Sequence, residues 1–313
     1  MDALTIDFPT PTPRPTLRPS LRPSLRPTLQ PVPPTQAATA RRQIEGTGTP
    51  ESAWRHWMPL WETELASLDA LVPPGSRVVV VAPHPDDEVL GCGGLLSLLA
   101  ARGRAGSSGT STRATSIAPT NASSNASSVA VIGVTDGDAS HPGSLTWAPQ
   151  FLAAQRRLER LRGLRHLGWR VAVQGLGIPD GRVSRYEAQL VDALAAQLRP
   201  DDVVITTWRR DGHPDHEATG RACAQATRRV GAALLEMPVW TWHWAQPGDA
   251  AVPWDRLRQL HLSGRALEDK WLALSEHQTQ LQPDGEQPAV LFPQAVDRLL
   301  RSSEFFFVME RQK

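Results

Sequence analysis

The chain has 313 residues, 40% of them hydrophobic, and 33 Lys+Arg against 32 Asp+Glu give a net charge of +1. That is enough apolar material for one large domain or two small ones, and so balanced a charge excludes a general pull toward nucleic acid or a membrane surface. Two distant cysteines exclude a disulfide framework and a four-thiolate zinc site, no apolar run reaches the roughly 20 residues of a membrane span, and the N-terminus lacks a secretory pattern; a cytoplasmic setting is expected.

In chain order, residues 1–49 form a leader in which "RPTLRPSLRPSLRPTLQPVPP" repeats a Leu-Arg-Pro-Ser/Thr tetrad. Proline at this density removes backbone donors and favours polyproline II, so disorder is expected. Residues 50–69 bring Trp54, Trp57, Trp61, Leu65 and Leu68 to one helical face, with Pro59 as a break point. Strands are predicted over 77–82, 129–135, 170–174, 202–207, 237–241 and 304–308. Helices are predicted over 93–102, 149–167, 185–198, 215–230, 264–280 and 293–302. The stretch 103–128 is low-complexity Gly/Ser/Thr/Ala/Asn and reads as a flexible loop; its sequons at Asn121 and Asn125 read as chance. Alternating strands and helices predict an α/β fold: a mostly parallel sheet flanked by helices, in one domain over 50–313.

The first strand carries the chemistry. "VVVVAPHPDDEVLGCGG" (78–94) opens as a strand buried on both faces and ends in a glycine-rich turn. In parallel sheets ligands bind beyond the carboxyl ends of the strands, where "HPDDE" sits. His84 and Asp87 are three apart, so an imidazole and a carboxylate converge. The adjacent Asp86 and Asp87 repel each other, a cost that a cation removes. A second cluster, "WRRDGHPDHEATGRA" (208–222), follows the apolar strand "DDVVITTW" and spaces His213 and His216 by three. One histidine from it, with His84 and Asp87, makes two imidazoles and a carboxylate with an open position. That set suits catalytic zinc and equally ferrous iron. A lone His-Pro-Asp is ordinarily a capped helix start. Two of them at equivalent strand ends carry the metal reading.

"PHPDDEVLGCGG" (83–94) followed by "DGHPDHEATGRA" (211–222) closely resembles the LmbE-like, or PIG-L, deacetylases. The resemblance extends over roughly 75–310 through "VTDGDASHPGS" (134–144), "RLERLRGLRHLG" (157–168), "LGIPDG" (176–181) and "KWLALSEHQTQ" (270–280). It implies a Rossmann-like three-layer sandwich and a metal-dependent, usually zinc, N-acetylglucosaminyl deacetylase acting on a small N-acyl amino sugar. It implies His84, Asp87 and His216 as metal ligands and Asp86 as the base that activates water. His213 would stabilise the oxyanion or protonate the amine, with Asp215 orienting it. Two departures stand out: Pro83 replaces a common alanine, and Asp211 sits where members acting on pseudodisaccharides can carry tyrosine.

Beside this constellation, Asp136 and Asp180 are sugar-contact candidates or plain turn residues. Arg156 or Arg157, with Glu159, contacts substrate or forms a helix salt bridge. His277 lines the pocket or packs inside it. Trp240, Trp242 and Trp244 alternate at strand spacing, one of them suited to stack on a sugar. Rival readings are a hydrolase of another amide, such as an acylated aminoglycoside or lipid intermediate, and a non-catalytic module working through its leader. Homo-oligomerisation stays open.

Overall fold

In the computed structural model, which describes residues 44, 46–107 and 127–309, the valine run becomes the middle of the sheet. It is β1 (Arg77–Ala82), and every residue after Arg77 is buried. The other strands are β2 (Ser128–Gly133), β3 (Val173–Gly175), β4 (Val203–Thr207), β5 (Ala233–Met237), β6 (Leu257–His261) and β7 (Ser303–Met309). Among the described residues they form one seven-stranded sheet in the order β3-β2-β1-β4-β5-β7-β6. The first five are parallel, and β7 runs antiparallel to both β5 and β6. The α/β architecture expected from alternation is the one observed.

The helices are α1 (Glu51–His56), α2 (Met58–Trp61), α3 (Leu68–Leu71), α4 (Asp87–Ser107), α5 (Pro149–His166), α6 (Glu187–Ala195), α7 (Pro214–Val230), α8 (Thr241–Trp244), α9 (Gly264–Ser275), α10 (Gln278–Leu281) and α11 (Pro293–Leu299). The two-residue period of β1 divides the core between them. Val78 and Val80 pack with Leu95, Leu96 and Leu99 of α4, Leu164 of α5 and Leu274 of α9. Val79 and Val81 face the other way, toward Leu190 and Leu194 of α6 and Ala222 and Ala226 of α7. Among the described residues no helix is long and apolar enough to cross a membrane.

Several predicted elements shift. The helix expected over 50–69 breaks into α1, α2 and α3: Pro59 withholds an N–H that a ladder continuous from α1 into α2 needs, and α3 starts separately behind its own cap, Ser67. Leu65, expected on its buried face, is 61% exposed. The strand expected at 237–241 ends instead at Met237, and Pro238 cannot extend the ladder. The tryptophan alternation that suggested a strand lies in and beside the helical turn α8. β6 carries buried Gln259 among its apolar residues, which hid it from a pattern search. The helix expected at 264–280 divides into α9 and α10. At the expected loop 103–128, α4 continues through Ser107 and β2 begins at Ser128. Both sequons and leader residues 1–43 lie outside the described residues. The leader's last residues are packed: Thr49 is buried and donates its N–H to the His243 carbonyl at 2.8 Å.

Candidate active site

β1 and β4 are neighbours at the centre of the sheet, yet the chain leaves them toward opposite sides. The crevice between their carboxyl ends is the switch point of the topology, the usual ligand position in open α/β sheets. His84–Glu88 follows β1 and starts α4; His213–His216 follows β4 and starts α7. Residues some 130 positions apart in sequence thereby meet. Ring centroids of His84 and His213 lie 4.8 Å apart, those of His213 and His216 4.8 Å, and those of His84 and His216 5.3 Å.

Asp87 ties the two turns together. Its Oδ2 accepts the His84 backbone N–H at 2.9 Å and lies 3.2 Å from His84 Nδ1. Its Oδ1 lies 3.3 Å from His216 Nε2. Burial pushes this carboxyl up, but His216 and His84 outweigh burial and hold it well below the usual carboxylate range. His84 Nε2 faces Asp180 Oδ1 at 3.1 Å and Asp215 Oδ2 at 3.5 Å. Burial disfavours a charged His84 ring, yet Asp180, Asp215 and Asp87 together raise its pKa well above the ordinary value.

His216 Nε2 is buried without a hydrogen-bond partner among the described residues. Its Nδ1 lies 2.9 Å from Asp211 Oδ2. Both Asp211 oxygens accept: they also take the N–H groups of Val239, Trp240 and Thr241 at 3.0, 2.9 and 2.9 Å and the Thr241 hydroxyl at 2.6 Å. Asp211 engages His216 at Nδ1, so Nε2 is the nitrogen turned toward Asp87 and the other cleft residues. A carboxylate behind a histidine with its outer nitrogen free is the arrangement that orients metal-ligating imidazoles. The orphaned nitrogen beside an ionised Asp87 fits a divalent cation.

Asp86 is buried and its Oδ2 accepts from Arg156 at 3.0 Å, while Arg156 also donates to the Gly137 carbonyl at 2.8 Å. Burial raises the Asp86 pKa to about 7, against the pull of Arg156. His213 caps α7, its Nδ1 accepting the Asp215 backbone N–H at 3.2 Å. That bond puts the proton of the neutral ring on Nε2. Burial, then the neighbouring His216 and His84, push the His213 pKa well down. The Asp215 carboxylate does not reach for His213 as expected. It accepts the Gly181 and Val183 N–H groups at 2.7 and 3.1 Å and faces His84, because it is already turned toward the 179–183 loop.

The cleft holds about 350 Å³ and is lined by His84, Asp86, Asp87, Arg156, Asp180, His213 and His216 on its polar side. Leu90, Trp240, Val290, Leu291, Phe292 and Ile44 make its apolar side. Three expected contacts are not among its lining residues. Asp136 and Arg157 pair with each other at the surface, where both are partly exposed. His277 is fully buried, its ring against Gly163 of α5. Burial, with Arg156 and Arg160 nearby, lowers its pKa to about 3. Arg157 was the expected contact and Arg156 its alternative; Arg156 is the one inside. Asp211 was legible only as a departure from a family pattern, and Ile44 as part of a leader.

Set against known proteins, residues 112–227 match the family model for PIG-L, the GlcNAc-PI de-N-acetylases. The match spans the second His-Pro-Asp turn and begins after the first. Among curated proteins none matches the chain. The N,N'-diacetylchitobiose deacetylase of Pyrococcus horikoshii shares the fold, with TM-score 0.53, 19% identity, and coverage of 85% of this chain and 94% of that one. A teicoplanin deacetylase in its zinc-inhibited form gives TM-score 0.47 and 21% identity over 76% of this chain and 99% of that one. A conserved protein of Thermus thermophilus gives TM-score 0.47 and 21% identity over 75% and 96%.

Proposed function

We propose, from PIG-L sequence over residues 112–227 set on a fold shared with a diacetylchitobiose deacetylase, that this chain is a metal-dependent N-deacetylase. Its substrate is an N-acylated amino sugar or a conjugate of one, with acetyl as the first acyl group to test. The observation that carries the reading is the meeting of two His-Pro-Asp turns at the switch point, where buried His216 Nε2 lacks a partner and Asp211 backs the ring. The domain is taken as 50–313, extended at its N-terminal side by the packed residues Thr47–Thr49 and by Ile44 in the cleft wall. The two free, buried cysteines fit the cytoplasmic location that belongs to the proposal.

His84, Asp87 and His216 would hold the ion, and two imidazoles with one carboxylate suit zinc first and ferrous iron second. A divalent cation bound there supplies Lewis-acid activation of water and of the amide carbonyl. The chain's own residues do the rest. Asp86, with a carboxyl poised near neutrality, takes a proton from the attacking water. Arg156 holds one oxygen of that carboxylate and so fixes its direction. The Nε2–H of His213 donates to the developing oxyanion. The proton gained from water passes to the departing nitrogen as the C–N bond breaks, leaving acetate and a free amine. Asp180, held by the Ala139 N–H at 2.9 Å, is the carboxylate placed to receive sugar hydroxyls.

The test is acetate release from a panel of N-acetylglucosamine conjugates, with bound metal identified by elemental analysis. Wild type should release acetate, and Asp86→Asn should lose roughly a hundredfold to ten-thousandfold while retaining its metal. Full metal occupancy with no release from any conjugate would remove the amino-sugar assignment. Full activity in Asp86→Asn would remove the base.

A further inference from the structure

The apolar side of the cleft continues outward. A second cavity of about 500 Å³ shares Ile44, Ser140, Val290 and Phe292 with it and adds Pro142, Pro288 and Ala289, with His141, Asp284 and Gln287 also on its wall. Ile44 thus stands, with Val290 and Phe292, at an apolar seam between the chamber of the candidate ligands and the outer one, although it belongs to a stretch that reads in the sequence as a disordered leader.

Thr47 and Thr49, which follow Ile44 by three and five positions, are fastened by a dedicated device. Arg298 of α11 is 2% exposed and donates to the Thr47 and Thr49 carbonyls at 3.0 and 2.7 Å. Its other nitrogen lies 2.9 Å from His243 Nδ1. The Thr49 hydroxyl donates to the Ala245 carbonyl at 2.6 Å. Gly48 has φ +62° and its missing Cβ would lie 2.5 Å from His243 Nδ1, so no other residue fits beneath the loop. A buried guanidinium used on backbone carbonyls costs desolvation that a loosely trailing segment would not justify.

We propose that this fastened stretch is a built wall of the cleft, and that Ile44, Val290 and Phe292 form a subsite for an apolar, alkyl-type substituent on the substrate. The inference rests on the amino-sugar reading and names the substrate class as amphiphilic. The amide and sugar lie among His84, Asp86, Asp180 and His213, and the alkyl group passes Ile44 into the outer cavity. The alkyl group is carried either on the glycosidic oxygen or as a longer acyl chain.

Binding separates this proposal from the reaction. Hexyl and methyl β-glycosides of N-acetylglucosamine are titrated calorimetrically into full-length, metal-loaded Asp86→Asn, so that ligand is not consumed. N-hexanoylglucosamine against N-acetylglucosamine forms the second arm. Burying a methylene is worth roughly fourfold in affinity, so about tenfold or more is expected for a seated hexyl chain in one of the two arms. Ile44→Asp should abolish that preference, and Ile44→Leu should keep it. Equal affinities in both arms, no binding in either, or a preference that survives Ile44→Asp would each overturn the subsite. Failure of the deacetylase reading appears separately, as wild type that releases no acetate.

Discussion

At the scale of single residues, the site is a set of polarised pairs. Asp211 accepts three backbone N–H groups and a hydroxyl, and by engaging Nδ1 of His216 it fixes which nitrogen of that ring faces the cleft. Asp211→Asn is expected to weaken metal binding about 10- to 100-fold, because an amide cannot hold the Nδ1 proton with the same strength. Competition with a chromogenic chelator measures this, and an affinity equal to wild type would show that Asp211 only braces the loop. Asp86→Asn differs in kind: metal affinity should be kept while turnover is lost, since Asp86 is paired with Arg156 instead of with His84 or His216. His84, Asp86, Asp87, His213 and His216 were all legible from the two motifs. Asp211 was not, because the groups that identify it come from 238–241, a segment the pattern misread as strand.

At the scale of elements, what matters is how close α7 lies to β4. A Cβ on Gly220 would sit 2.6 Å from the Thr207 carbonyl oxygen and 2.7 Å from the Arg209 nitrogen, both backbone atoms that cannot rotate away. Gly220 lies one turn after His216, so the contact sets where that imidazole stands. Gly220→Ala should cost about 1–3 kcal/mol in a denaturant melt through overpacking. It should also weaken metal binding; a stability loss with unchanged metal affinity would place the register of His216 elsewhere. The opposite helix has its own device. α4 breaks at Cys92 (φ −142°), and Glu304 of β7 accepts the N–H groups of Gly94 and Leu95 at 2.7 and 2.8 Å, restarting the helix. Lys270 holds Glu304 Oε1 at 2.8 Å, both side chains buried. Lys270→Met leaves a lone buried carboxylate and should cost about 3–5 kcal/mol by the same melt. The expected start of this helix at 93 corresponds to its second half; the half carrying Asp87 precedes the break at Cys92.

At the scale of the whole molecule, buried histidine links stability to pH. His277 is fully buried, and its pKa falls from 6.5 to about 3, chiefly through burial, with Arg156 and Arg160 on the packed α5 adding to it. Between those values the unfolded chain binds a proton at this residue that the native state does not, so the His277 contribution to stability falls as pH drops below about 6.5 and is constant above it. The contribution is up to about 1.4 kcal/mol per pH unit. Urea melts at pH 7 and pH 5 should show a larger loss for wild type than for His277→Gln. Equal losses would mean that the acid sensitivity comes from other groups.

The sequence by itself determined the sheet's central strands, the helices that cover them and the two turns that carry the candidate ligands. Those features are local: hydrophobic period, proline and glycine punctuation, and residue type within five positions. Tertiary structure decided what depends on contacts across long stretches of chain. It put Arg156 inside and Arg157 outside, two adjacent residues on one helix separated only by the rotation of α5. It turned Asp215 toward Gly181 and Val183, set Asp211 behind His216, and brought Ile44 to the cleft through Arg298. Periodicity says which face of an element is apolar; which partner a buried charge meets depends on segments that only folding brings together.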